Sequence, residues 1–183
     1  MSCKCFDNIP SFRKGLSYAE RLDLSKCACT ARFVVNERKS RFELLSCSLD
    51  EVDKYKIDNY FNQEKTQKKC DYYFNYHPSN QPNVCIFVEL KGIDIETAVE
   101  QLGTTLSEFE NNGQFDAMKG AKVVCAIVST GYPSDDATYR NLVKRLKSKH
   151  KRLNPSIERK KYEMRYNPKT GECFGKGEKS ASL

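Results

Sequence analysis

Three residues in this 183-residue chain have types and spacing that could do chemistry together: Asp71, Glu89 and Lys91. Side chains alternate along a strand, so Glu89 and Lys91 project together, while Val84, Ile86, Val88 and Leu90 turn to the opposite, apolar face. The runs Cys70–Tyr76 and Val84–Lys91 read as strands joined by the turn-rich His77-Pro78-Ser79-Asn80-Gln81-Pro82-Asn83. A hairpin centred on Asn80 sets Asp71 opposite Glu89, Tyr72 opposite Val88 and Phe74 opposite Ile86, with the apolar residues on one side. Directly opposed residues have Cβ atoms about 4.5–5.5 Å apart. Two carboxylates there repel unless one is protonated or a cation lies between them. A preceding hairpin centred between Glu64 and Lys65 would add Asp58 opposite Asp71. Acids on one patch, with waters in the remaining positions, are what a hard divalent ion such as Mg²⁺ or Mn²⁺ requires. Lys91 would lie diagonal to Asp71, within reach of a bound water.

An Asp followed at a distance by Glu-x-Lys also occurs on the polar face of ordinary antiparallel sheets. Here the context adds weight: an Asp at a strand start, an apolar strand ending in Glu89-Leu90-Lys91, then Gly92 and a helix. Cys70-Asp71, the run Val84–Gly92 and the helix bearing Glu100-Gln101 resemble the core of the PD-(D/E)XK nuclease superfamily, over Tyr55 to Lys149. The resemblance implies a restriction-endonuclease-like α/β fold, a central mixed β-sheet flanked by helices. It implies one domain over 1–183, with a core at 55–150, an N-terminal extension and a basic tail from 151. Asp71 and Glu89 would be metal ligands, Lys91 would orient or activate the attacking water, and Gln101 would support the site. The implied activity is Mg²⁺- or Mn²⁺-dependent phosphodiester hydrolysis, with DNA favoured over RNA as substrate. The rival from another class is the same fold with a lost site, acting as a nucleic-acid-binding or interaction module. In two places the chain departs from the family. Cys70 stands where the family has Pro, and the acid that the family supplies upstream has no clear match, leaving Glu20, Glu37 and Glu43 open.

The elements that must position these residues are legible to different degrees. Phe12, Leu16, Ala19 and Leu22 suggest a short helix over Ser11–Leu24, weakened by Gly15. Ala31–Val35, Arg41–Leu45 and Tyr55–Phe61 are strand-like. Asp94 is a good N-cap for a helix in which Ile95, Ala98, Leu102, Leu106 and Phe109 recur at helical spacing, ended by Asn111-Asn112-Gly113. Ala121–Thr130 reads as a strand buried on both faces. A second helix carries Tyr139, Leu142, Val143 and Leu146 on its apolar stripe and basic residues opposite. Lys161–Asn167 is expected as a last strand, with the residues from Gly171 loose. Tyr73 and Phe87 share the acidic face and are expected to line the sheet beneath a helix rather than stack on bases.

Composition sets the remaining bounds. Ten Tyr and ten Phe exclude an intrinsically disordered chain. No apolar run approaches the ~20 residues needed to span a bilayer, and the N-terminus has no signal-peptide pattern, so a cytoplasmic protein is expected. Between Arg140 and Lys169 stand twelve Lys or Arg and two acids, a balance larger than the whole chain's +7. Arg140, Lys144, Arg145, Lys147, Lys151 and Arg152 are the candidate contacts to a nucleic-acid backbone, the alternative being a solvated face. A second copy or a complex partner is compatible with the sequence. Nine cysteines fit free thiols, with Cys47, Cys70, Cys85 and Cys125 as small buried hydrophobes. Cys3/Cys5 and Cys27/Cys29 leave a structural metal open, although C-x-C is not the usual zinc spacing. His77 and His150 are expected as surface residues, too few for a His-based metal or triad site. Phosphate-binding glycine motifs are missing.

Overall fold

A computed structural model describes residues 33–45, 47–57, 68–111, 118–131 and 137–178. The expected helix over Ser11–Leu24, Glu20, Asp58 and the four N-terminal cysteines lie outside these residues. The architecture is α/β, with two mixed sheets and two helices among the described residues.

The central sheet has five strands in sequential order. Its members are β3 (Val52–Lys56), β4 (Tyr72–Tyr76), β5 (Val84–Lys91), β6 (Lys122–Ser129) and β7 (Ser156–Lys161). β3, β4 and β5 pair antiparallel, whereas β5, β6 and β7 run parallel. The parallel pairs require crossovers, supplied by α1 (Ile95–Asn111) and α2 (Ala137–Lys149). The second sheet, β1-β2-β8-β9, comprises Val34–Glu37, Ser40–Leu44, Glu163–Asn167 and Glu172–Phe174.

Two cores sandwich the central sheet. Tyr73, Cys85, Phe87, Cys125 and Ile127 pack under α1 residues Ala98, Leu102, Leu106 and Phe109, with Leu146 of α2. Gly103 makes the helix contact possible, because a Cβ there would lie 3.1 Å from Leu146 Cδ1. On the other face, Phe74, Ile86, Val88, Leu90, Val124 and Val128 meet Phe42, Met164 and Tyr166 of the second sheet. Among the described residues the flanking helices therefore cover one face only, and the other face carries the four-stranded sheet. β5 and β6 are buried on both sides, which is why they are almost wholly apolar.

The β4–β5 hairpin has the expected register: Tyr72 faces Val88 and Phe74 faces Ile86. The β3–β4 register differs from expectation by one residue. Tyr55 faces Tyr73 and Lys56 faces Tyr72, and the Ile57 N–H donates to the Asp71 carbonyl at 2.8 Å. The place opposite Asp71 therefore falls to Ile57. The connection is too long to fix the register, so burial does. Tyr55 stacks on Tyr73 on the helix side, with ring centroids 5.6 Å apart, while Val52 and Tyr76 both face the second sheet. The expected register would set Tyr55 against Phe74, on the wrong face.

Three further expectations are corrected near the C-terminus. The last strand is two, broken at Tyr162, whose φ of 64° turns the chain from one sheet into the other. Just after Gly171 the chain is not loose, because Glu172–Phe174 pairs with β8. His150 is no surface residue: it is fully buried, with Nδ1 2.6 Å from Glu110 Oε2, and it ties the end of α2 to α1. His77 is half-buried beside Asp53. No described helix is long and apolar enough to cross a membrane.

Candidate functional site

Asp71, Glu89, Lys91 and Gln101 meet where β5 ends. Because β4 runs antiparallel to β5, its start lies beside the end of β5, which brings Asp71 to Glu89. Odd-numbered residues of β5 face α1, so Glu89 follows Cys85 and Phe87 into the helix-side core. The face is not solvent-exposed as a two-layer hairpin would leave it: Glu89 is 1% exposed and Asp71 9%. Tyr73 and Phe87 line this face against Phe109, as expected.

The α1 face made by Gln101, Thr105 and Glu108 recurs at helical spacing and pins Lys69 and Cys70, the residues that lead into β4. The Gln101 amide Nε2 donates to the Lys69 carbonyl at 2.8 Å, Thr105 Oγ1 accepts from the Cys70 N–H at 2.9 Å, and Glu108 pairs with Lys69 at 3.2 Å. Asp94 caps the helix, accepting from the Thr97 N–H at 2.9 Å. Asp71 Oδ2 accepts the Leu90 N–H at 2.7 Å. Lys91 Nζ donates to Gln101 Oε1 and lies 3.2 Å from Glu89 Oε1.

Glu89 is the strained member of the group. Its Oε2 is buried with no hydrogen-bond partner among the described residues. Burial pushes its carboxyl up to about 9, the charge of Asp71 adds to the shift, and Lys91 opposes it only in part. At neutral pH the carboxyl therefore keeps its proton unless a further cation joins Lys91. An orphaned buried oxygen next to a second carboxylate side chain fits a divalent cation. Among the described residues no three His, Cys, Asp or Glu side chains cluster to hold a metal. A hard ion here would take two carboxylates and complete its shell with water and phosphate oxygens, a ligand set that suits Mg²⁺.

Of the upstream acids left open by the sequence, Glu37 ends β1 near enough for its charge to act on Glu89. Glu43 is instead paired with Arg41 at 2.8 Å. Sequence reasoning did not single out Ser40, Ser129 or Lys161. Ser40 Oγ donates to the Lys91 carbonyl at 3.2 Å. Ser129 is buried beside Lys91 in register, and Lys161 follows beside Ser129. Only topology brings these together, since nothing in the linear pattern predicts the second sheet or the place of β7.

The basic candidates Arg140, Lys144, Arg145, Lys147, Lys151 and Arg152 are all exposed. A groove of about 430 Å³ runs along α2, lined by Tyr139, Arg140, Val143, Lys144, Lys147 and Lys151. The Arg159 guanidinium lies 4.0 Å from the Tyr139 ring centroid, so β7 adds a cation beside this side of the helix. Of the cysteines expected to be buried, Cys70, Cys85 and Cys125 are so, and Cys47 is half-buried. Compared with family models, curated proteins and solved structures, the chain has no match.

Proposed function

We propose that the protein is a divalent-metal-dependent nuclease that hydrolyses phosphodiester bonds, in DNA ahead of RNA, at Asp71, Glu89 and Lys91. The carrying observation is the buried Asp71–Glu89 pair with one orphaned oxygen, beside a lysine anchored by both Glu89 and Gln101. The pattern of these residues, which resembles the PD-(D/E)XK superfamily, supports the same reading. Held by Asp71 and Glu89, with the charge of Glu37 also acting on Glu89, Mg²⁺ or Mn²⁺ would polarise the phosphate and acidify a bound water.

The chain's own residues do the rest. Asp71 keeps its carboxylate aimed because the Leu90 N–H holds one oxygen. Lys91 is held in place by Gln101, so its ammonium can orient the attacking water and stabilise the charge that develops on the phosphate. The exposed cations of α2 hold the backbone of the substrate without reading its sequence. Incubation of single-stranded, double-stranded and branched DNA and RNA with Mg²⁺, Mn²⁺ or EDTA tests the reading. Cleavage is expected in the metal arms only. Substrate that is shifted but intact in every arm would overturn catalysis and leave a binding module.

A further inference from the structure

The strand ends around Lys91 carry a rim that the hydrolysis above does not use. Parallel partners share a face, and β7 residue Ile157 packs toward the helix-side core. Lys161, four residues on, therefore lies on the same side of the sheet as Lys91 and two strands away, about 10 Å. The next residue, Tyr162, is 39% exposed, and Ile93, at the end of β5, is 76% exposed. These are the exposed large hydrophobic residues among those described. The Lys161 ammonium lies 4.9 Å from the Tyr162 ring centroid.

The backbone of Tyr162 is held from both sheets. Its N–H donates to the Ser129 carbonyl and its carbonyl accepts the Arg41 N–H, both at 2.8 Å. Glycine would make the same bonds at this left-handed φ with less strain, so the aromatic ring is not there for the turn. The β1–β2 turn repeats the pattern. Glu37 pairs with Ser40, leaving Arg38 and Lys39 as an exposed two-residue loop, and Arg38 has φ 51°. Such a position favours Gly, Asn or Asp. The Ser40 bond to the Lys91 carbonyl sets this loop at the same strand ends. Two of the three described non-glycine residues with positive φ thus belong to one rim, one presenting a ring and the other a guanidinium.

We propose that this rim is a single-strand subsite, in which Tyr162 stacks on an unpaired base while Arg38, Lys39 and Lys161 hold the flanking phosphates. Inside a duplex the faces of each base are covered by its neighbours, so an exposed ring has a partner only where a strand is unpaired. The inference rests on the nuclease reading for the fate of the bound strand, but binding itself does not require cleavage.

The test uses the whole chain in EDTA, with fluorescence anisotropy on labelled oligothymidylate and on a blunt duplex of equal length. Tyr162→Ala and Tyr162→Gly should each weaken single-strand binding roughly tenfold, with much less effect on the duplex, and Tyr162→Phe should keep it. Arg38→Ala, Lys39→Ala and Lys161→Ala should each lower the single-strand salt slope by about 0.7. Equal affinities for wild type and Tyr162→Ala would overturn the subsite. Equal losses on both substrates would also overturn it, as would a loss in the alanine variant that glycine restores, because the effect would then belong to the backbone. Wild type that binds the strand but never cleaves it with Mg²⁺ would remove the nuclease reading and leave the subsite standing.

Discussion

At the scale of single residues, Glu89 has a measurable signature apart from activity. Its carboxyl lies near 9 in the folded chain and near 4.5 in the free side chain. Between those values the folded state binds more protons than the unfolded one, so stability falls as pH rises. Its contribution is complete below about pH 4.5 and gone above about pH 9, with a slope of at most about 1.4 kcal/mol per pH unit. Thermal melts in EDTA should therefore show the wild type losing Tm from about pH 5.5 to 8.5, and Glu89→Gln losing much less. Parallel curves would show that this carboxyl is not buried in its neutral form. Asp71→Asn should also keep the fold, since the amide oxygen can still accept the Leu90 N–H. Both variants should lose cleavage while remaining folded. Lys91→Ala should lose a hundredfold or more, on the scale of an electrostatic stabiliser. Mn²⁺ affinity should survive in that variant, because an ammonium is not a ligand. Lys91→Arg should fail nearly as badly, since the planar guanidinium cannot reproduce a compact ammonium wedged between Glu89 and Gln101. Near-normal cleavage by Lys91→Ala would leave the site without its water-positioning group.

At the scale of elements, α1 both covers the site and aims it. Gln101 bridges Lys91 to the Lys69 carbonyl, so Gln101→Ala removes one buried bond to that carbonyl and leaves Lys91 with Glu89, and should cost about 1–3 kcal/mol. Loosening Lys91 by a fraction of an ångström should lower kcat about tenfold or more with little change in KM. Gln101→Glu separates the two roles: it can still hold Lys91 but cannot donate to Lys69, so stability should drop further than kcat. An unchanged kcat in Gln101→Ala would make the residue purely structural. The same elements show what a sequence can disclose. The β4–β5 register was legible because a short turn and the hydrophobic pattern agreed. The β3–β4 register was not, because a long connection leaves the choice to Tyr55 stacking on Tyr73, a contact visible only in three dimensions. Glu89 and Lys91 were legible as neighbours on one face, but their burial was not: alternation alone cannot tell a face under a helix from a face in water. Glu37 could not be separated from Glu43 in the sequence. The distinction comes from the second sheet, which turns Glu43 toward Arg41 and leaves Glu37 at the strand ends.

At the scale of the whole molecule, the basic groove along α2 and the proposed site at Glu89 lie on the same side of the sheet. α2 follows β6 in the chain, and Lys147 lies about 10 Å beyond Arg140 along the helix axis. Lys151 and Arg152 follow at the far end, and β7 then returns to the strand ends. A backbone lying along this helix would cross the groove over Tyr139 and Val143. Substituting Lys144, Lys147, Lys151 and Arg152 with Glu should therefore weaken binding to every sequence alike. It should also lower the duplex salt slope by about 0.9 for each phosphate that is no longer neutralised. As contacts to the backbone rather than to the reacting phosphate, these cations should act on KM and leave kcat at saturation near the wild-type value. The rim behaves differently, because losing Tyr162 should change the preference for single strands over duplex, whereas this charge reversal should weaken both equally. Titrations at several salt concentrations with both substrates separate the two surfaces. Unchanged affinity and slope in the reversed variant would make the α2 cations a solvated face, and would move the whole burden of backbone binding onto Arg38, Lys39 and Lys161.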